Sequence, residues 1–181
     1  MAHIDNNGHS ALSHAVSNGH IELVKFLCNC PWADGGISAC DAMQSAFVVC
    51  SGKGHSDIAE LLLERLQETV KCHVDAVDVI SGETALTAAC LNGRKTTVQL
   101  LLTRGAMLTQ GNARGLTPLL SAVKAGYWDI AVILLRHGAD IETTDSHGRS
   151  ALMIAAAEGH VGLVEMLLTN SKSFLTYSKS F

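Results

Sequence analysis

Gly82, Gly115 and Gly148 open three copies of one short phrase, set 33 residues apart. The copies read Gly82-Glu83-Thr84-Ala85-Leu86, Gly115-Leu116-Thr117-Pro118-Leu119 and Gly148-Arg149-Ser150-Ala151-Leu152. An earlier copy is Gly8-His9-Ser10-Ala11-Leu12, and a weak one is Met43-Gln44-Ser45-Ala46-Phe47. A fixed period of this length restricts the chain to a stack of small similar units, each burying its apolar face only against its neighbours.

The residues between the phrases say what each unit is. In the fourth, Asn112-Ala113-Arg114-Gly115 reads as a turn, with glycine supplying backbone angles closed to other residues. Thr117 can cap a helix and Pro118 suits its first position. Leu119, Ala122 and Val123 then recur at helical spacing. Gly126 ends that helix, Asp129 complements the start of a second, and Ile130, Ile133, Leu134 and Leu135 give the second its packing face. Nearly half the residues are apolar (48%) while rings make up only 4%, a core suited to closely stacked small helices. The expected fold is all-α: a solenoid of about five helix-turn-helix units at about 5–28, 41–63, 79–106, 112–140 and 145–170, joined by short hairpin-like fingers.

The second unit departs from this pattern. Met43 stands where the turn glycine belongs, and two insertions, 29–40 and 64–81, read as loops, with the second prolonging a helix through Gln67. Residues 171–181 form a non-repeat tail in which Ser-Lys-Ser-Phe occurs twice. Neither end carries the polar capping unit that a solenoid requires, so the sequence reads as part of a longer array.

Period, turn glycines and the degraded T-P-L-H-x-A core resemble the ankyrin-repeat family over residues 5–170. Within it, Cys30-Pro31-Trp32, the irregular second unit, Gly82-Glu83-Thr84-Ala85-Leu86-Thr87-Ala88-Ala89, Trp128 and Ala155-Ala156-Ala157-Glu158-Gly159-His160 are similar to the TANC and rolling-pebbles scaffold proteins. That resemblance implies a non-enzymatic protein-binding module of an intracellular scaffold, at a postsynaptic density or a cell-fusion site. The alternative is an intramolecular lid or spacer within a larger signalling protein.

Other chemistry finds little support. A net charge of −4 with no local Lys/Arg cluster speaks against nucleic acid. The apolar windows at 61–63 and 130–135 are too short to span a bilayer, and Met1-Ala2-His3-Ile4-Asp5 lacks the form of a secretory signal. A cytoplasmic chain with six reduced cysteines is therefore expected. Cys28, Cys30, Cys40 and His20 have poor zinc spacing. Ser51-Gly52-Lys53-Gly54 lacks the order of a phosphate loop, and no nucleophile elbow frames a serine. His20, His55 and His160 hold the Gly-His position, where a ring can bond backbone of the neighbouring unit. No cofactor, metal, catalytic residue or small-molecule substrate is expected.

The family's groove is lined by fingers and by the exposed side of each first helix. Transferred by motif, the partner-binding candidates are Glu83, Leu91, Asn92, Arg114, Leu116, Lys124, Trp128, His147, Arg149 and Glu158. His9, Ser17, Asn18, Lys53, Ala113 and Ser146 hold similar positions. Arg114, Trp128 and Arg149 lead, because Arg and Trp dominate interfaces. Leu91 and Leu116 are expected to be exposed apolar residues.

Overall fold

The computed structural model describes residues 10–30, 39–69 and 74–177, and among these it contains ten α-helices and no strand. The helices alternate between first and second members of each unit. The pairs are α1 (Ala11–Ser17) with α2 (Ile21–Asn29), α3 (Ala39–Lys53) with α4 (Ser56–Thr69), and α5 (Ala85–Leu91) with α6 (Lys95–Thr103). Then come α7 (Pro118–Lys124) with α8 (Trp128–Arg136), and α9 (Ala151–Ala157) with α10 (Val161–Tyr177).

The repeated phrase is the start of each first helix. Ser10, Thr84, Thr117 and Ser150 are N-caps in extended conformation, and each side-chain oxygen accepts the backbone N–H three residues on. This satisfies one of the amides a helix start leaves without a partner. Pro118 occupies the first turn, where its missing N–H costs nothing. In three of the four the leucine two residues past the cap enters the core: Leu12, Leu86 and Leu119 are almost fully buried, whereas Leu152 is exposed.

First helices pack on first helices along the whole array, more closely than second helices pack on one another. The cause is side-chain size. α5 is Ala-Leu-Thr-Ala-Ala-Cys-Leu, while α6 and α8 present Val98, Leu101, Ile130 and Leu134. Helices lined with small residues approach closer. A stack whose first helices are nearer together than its second ones curves toward the first helices, placing them on the concave side.

The second unit corrects the sequence reading. Met43-Gln44-Ser45-Ala46-Phe47 is not a turn but lies inside α3, a helix of 15 residues where other first helices have 7. Met43 is buried there, so an earlier start of the helix occupies the place of the finger, while Phe47 takes the place of the buried leucine of the other units. The helix predicted to run through Gln67 continues to Thr69. Residues 31–38 and 70–73, the middles of the two expected insertion loops, lie outside the described residues, as do His9 and residues 178–181.

At the other end, α10 continues across the Asn170/Ser171 boundary to Tyr177. Units three and four leave their second helices through Gly105 and Gly138, both with positive φ. The fifth has Thr169-Asn170-Ser171 instead, and without the glycine nothing turns the backbone out of the helix. No helix among the described residues is long and apolar enough to cross a membrane.

Candidate interaction surface

Three fingers are built on one device. Asp78, Asn112 and Asp145 are buried, and each closes its turn by donating its N–H to the residue that precedes the helix cap: Glu83, Leu116 and Arg149. Their side chains also hold the turn from inside. Asn112 Oδ1 accepts from Arg114 N (3.0 Å) and Leu116 N (2.9 Å). Asp145 Oδ1 accepts from His147 N and Arg149 N, both at 2.9 Å. Asp78 Oδ2 accepts from Ser81 N (2.7 Å) and Ser81 Oγ (2.6 Å). The amide bonds to Asp145, first among them that from Arg149, stabilise its ionised form and hold its pKa down at about 2.

Adjacent fingers are tied together. Ala113 N donates to Gly82 O (2.7 Å), and Ser146 Oγ donates to Arg114 O (2.8 Å). The Glu83 carboxylate accepts from Asn112 Nδ2 (3.0 Å) and from Thr87 Oγ1 (2.7 Å), so it is engaged within the stack.

Glu83, Leu116 and Arg149 thus share one position, and that position faces along the array. This overturns the expectation for Leu116, which is only 3% exposed and belongs to the core cluster. Buried in this way, it offers nothing to a partner. Arg149 remains 45% exposed and turns back on Asp145, with Nη2 2.7 Å and Nε 2.8 Å from Oδ2. Leu91 is half-buried rather than exposed.

The remaining candidates separate into two groups at opposite ends of the first helices. Arg114, His147 and Arg149 sit on fingers, which precede those helices. Leu91, Asn92, Lys124, Trp128 and Glu158 follow them, at or beyond the helix ends. Seven helical residues separate the groups by about 10 Å. Asn92 caps its own helix through Nδ2 to Ala88 O (2.8 Å). Lys124 is half-buried and Glu158 exposed. Trp128 is 52% exposed, at the start of α8 beside Tyr127.

Between first and second helices a second ladder runs through the stack. His55, Arg94, Tyr127 and His160 each cover the turn glycine of the preceding unit: Gly19, Gly54, Gly93 and Gly126. Arg94 Nε donates to Gly52 O (3.1 Å), and His160 Nε2 lies 3.3 Å from Lys124 O. His160 therefore fills the cross-unit role expected of the Gly-His position.

The cysteines of the described core are not poised for chemistry. Burial pushes the Cys50 thiol up to about 12 and the Cys90 thiol higher still, far from thiolate formation at neutral pH. Burial also raises Cys28. Among the described residues no three His, Cys, Asp or Glu side chains gather as a metal site would require.

Sequence reasoning missed one exposed apolar feature. Val77, Val79 and Ile80 project from the third finger, with Val79 86% exposed. The signal was present as an extra residue: Asp78 to Gly82 is one longer than Asn112 to Gly115 or Asp145 to Gly148.

The family profile for ankyrin repeats matches residues 1–71, 47–145 and 106–177. The chain is 42% identical over 92 residues to the ankyrin repeat and KH domain-containing protein mask of Drosophila melanogaster, which is 50% of this chain and 2% of that protein. To mask-1 of Caenorhabditis elegans it is 31% identical over 173 residues, 96% of this chain and 6% of that protein. To inversin of Danio rerio it is 40% identical over 82 residues, 45% of this chain and 8% of that protein. The chain therefore spans only a small fraction of the length of these relatives.

Proposed function

Because the chain belongs to the ankyrin-repeat family, we propose that it is a non-enzymatic module that binds a protein partner through its concave face. One observation within the chain carries this reading. The finger anchors (Asp78, Asn112, Asp145) and helix caps (Thr84, Thr117, Ser150) stay nearly constant. The tips between them change completely, from Val79-Ile80 to Ala113-Arg114 to Ser146-His147. A scaffold held fixed while its outward residues vary suits recognition better than catalysis.

Of the sequence candidates, Arg114, Lys124, Trp128, His147, Arg149 and Glu158 remain as contact residues. The buried Leu116 is removed, Glu83 supports the scaffold from within, and Asn92, exposed although its amide bonds Ala88 O, stays at the edge of the site. A cytoplasmic scaffold context is the natural setting for such a module. The narrower reading, a postsynaptic or cell-fusion scaffold of the TANC type, rests on Cys30-Pro31-Trp32 and the irregular second unit.

Photo-crosslinking tests the concave site. A benzophenone side chain placed at 92, 124 or 158 should yield a discrete partner adduct from cell extract, and one placed at 99 or 132, on second helices, should not. Equal labelling from both sets would overturn the concave assignment.

A further inference from the structure

The finger tips form a row whose chemistry changes along the array. It begins with the lengthened third finger, where Val79 and Ile80 are exposed while Asp78 between Val77 and Val79 turns inward. The next tip carries Arg114. The last carries His147, with Arg149 beside it. The acids at the finger bases are occupied: Glu83 by Asn112 and Thr87, Asp145 by Arg149 and two backbone amides. Among the described residues no carboxylate forms an ion pair with Arg114. The row therefore presents an apolar knob followed by the exposed Arg114 and the exposed His147 imidazole, with Arg149 held in an ion pair by Asp145, on a chain whose net charge is −4.

We propose that this row docks an acidic segment of the partner that carries an apolar anchor. The anchor packs on Val79 and Ile80, and carboxylates downstream meet Arg114 and then His147. This deepens the reading of the chain as a protein-binding module and rests on it. The bonds from Ala113 to Gly82 and from Ser146 to Arg114 fix the tips in register before any ligand arrives. Such pre-organisation lowers the ordering cost of binding. Neighbouring units lie about 10 Å apart, the separation of packed helices, which roughly three extended residues span. An extended peptide thus meets a new tip at about every third residue, with the apolar side chain at one end and acids at the following two contacts.

Selection of a displayed random-peptide library against the 181-residue chain, followed by anisotropy with labelled synthetic winners, tests this directly. Enriched peptides should combine an apolar residue with acids at that spacing. Arg114→Glu should weaken them by about tenfold or more, and the Val79→Ser/Ile80→Ser pair by about tenfold. Added salt should weaken them further, as desolvation of rim charges is incomplete. All three positions are exposed, so the variants should melt like the parent by circular dichroism.

Neutral or basic winners, acidic winners indifferent to Arg114→Glu, or tighter capture of a labelled oligonucleotide than of any peptide would each overturn the proposal. So would a library that enriches nothing. In that case a crosslinked partner at 92, 124 or 158 leaves the wider reading standing, because a folded domain can still occupy the helix face. Peptide capture at the tips without any such adduct upholds the tip row and removes the helix face from the site.

Discussion

Asp145 shows how much of a finger rests on one side chain. Its pKa falls from 3.8 to about 2 because backbone amides, with Arg149, favour the carboxylate. A group whose folded pKa lies below its unfolded value contributes stability above the unfolded value and loses it as pH falls through the folded one. The acid limb of the stability profile between pH 3.8 and about 2 should therefore carry an Asp145 component. Asp145→Asn should flatten that limb while leaving the turn formed, since Asn112 already does the same work at the same place. Chemical denaturation at stepped pH checks this, and an unchanged acid limb would count against the assignment.

Leu116 makes a second test at this scale. Leu116→Ala should cost about 2–3 kcal/mol in urea unfolding, as removal of a buried leucine does. Arg114→Ala, on the same finger, should stay within about 0.5 kcal/mol. The sequence could place Leu116 in the finger but not inside the stack. Periodicity marks helix faces, whereas a turn residue's burial depends on how the next finger lies against it. The caps and core leucines were legible for the opposite reason, since their partners lie within the same few residues.

Among elements, the turn between first and second helices is the sharpest case. Gly126 and Gly159 hold equivalent turns with φ of +81° and +76°, so alanine strains both about equally. Only at Gly126 is there also a neighbour: an added Cβ would stand 2.7 Å from the His160 ring, whereas at Gly159 no described atom lies within 4 Å. Gly126→Ala should therefore lower stability by about 1 kcal/mol more than Gly159→Ala, the cost of displacing a packed side chain. Equal losses in parallel melts would mean that the ring moves aside freely. The sequence showed these glycines and histidines as adjacent letters. That each ring covers the preceding unit's glycine required the stack itself. The second unit departs from expectation because its first helix begins early and buries Met43 where other units place the finger glycine, and an apolar residue at that position looks the same in either setting.

For the molecule as a whole, the apolar faces form one continuous cluster from Leu12 to Leu167, yet each helix touches only its near neighbours. Stability in such a chain is a sum of unit and junction contributions. Hydrogen exchange should therefore find α5 and α7, flanked on both sides, more protected than α1 and α9. Uniform protection across the four would point to a single all-or-none unit. The five-unit architecture was legible because a period survives any change in exposed residues. The binding strip was not, because its residues are those the architecture leaves unconstrained.

The glycine-covering ladder bears on how such a molecule lengthens. Each unit contributes both the bare backbone that its successor covers and the bulky side chain that covers its predecessor. Tandem duplication of one unit therefore copies lock and key together, and the duplicate fits beside its parent with no new interface to invent. His, Arg and Tyr all serve as the cover, so copies remain compatible after they diverge, and exchanged units stay joinable in one direction only.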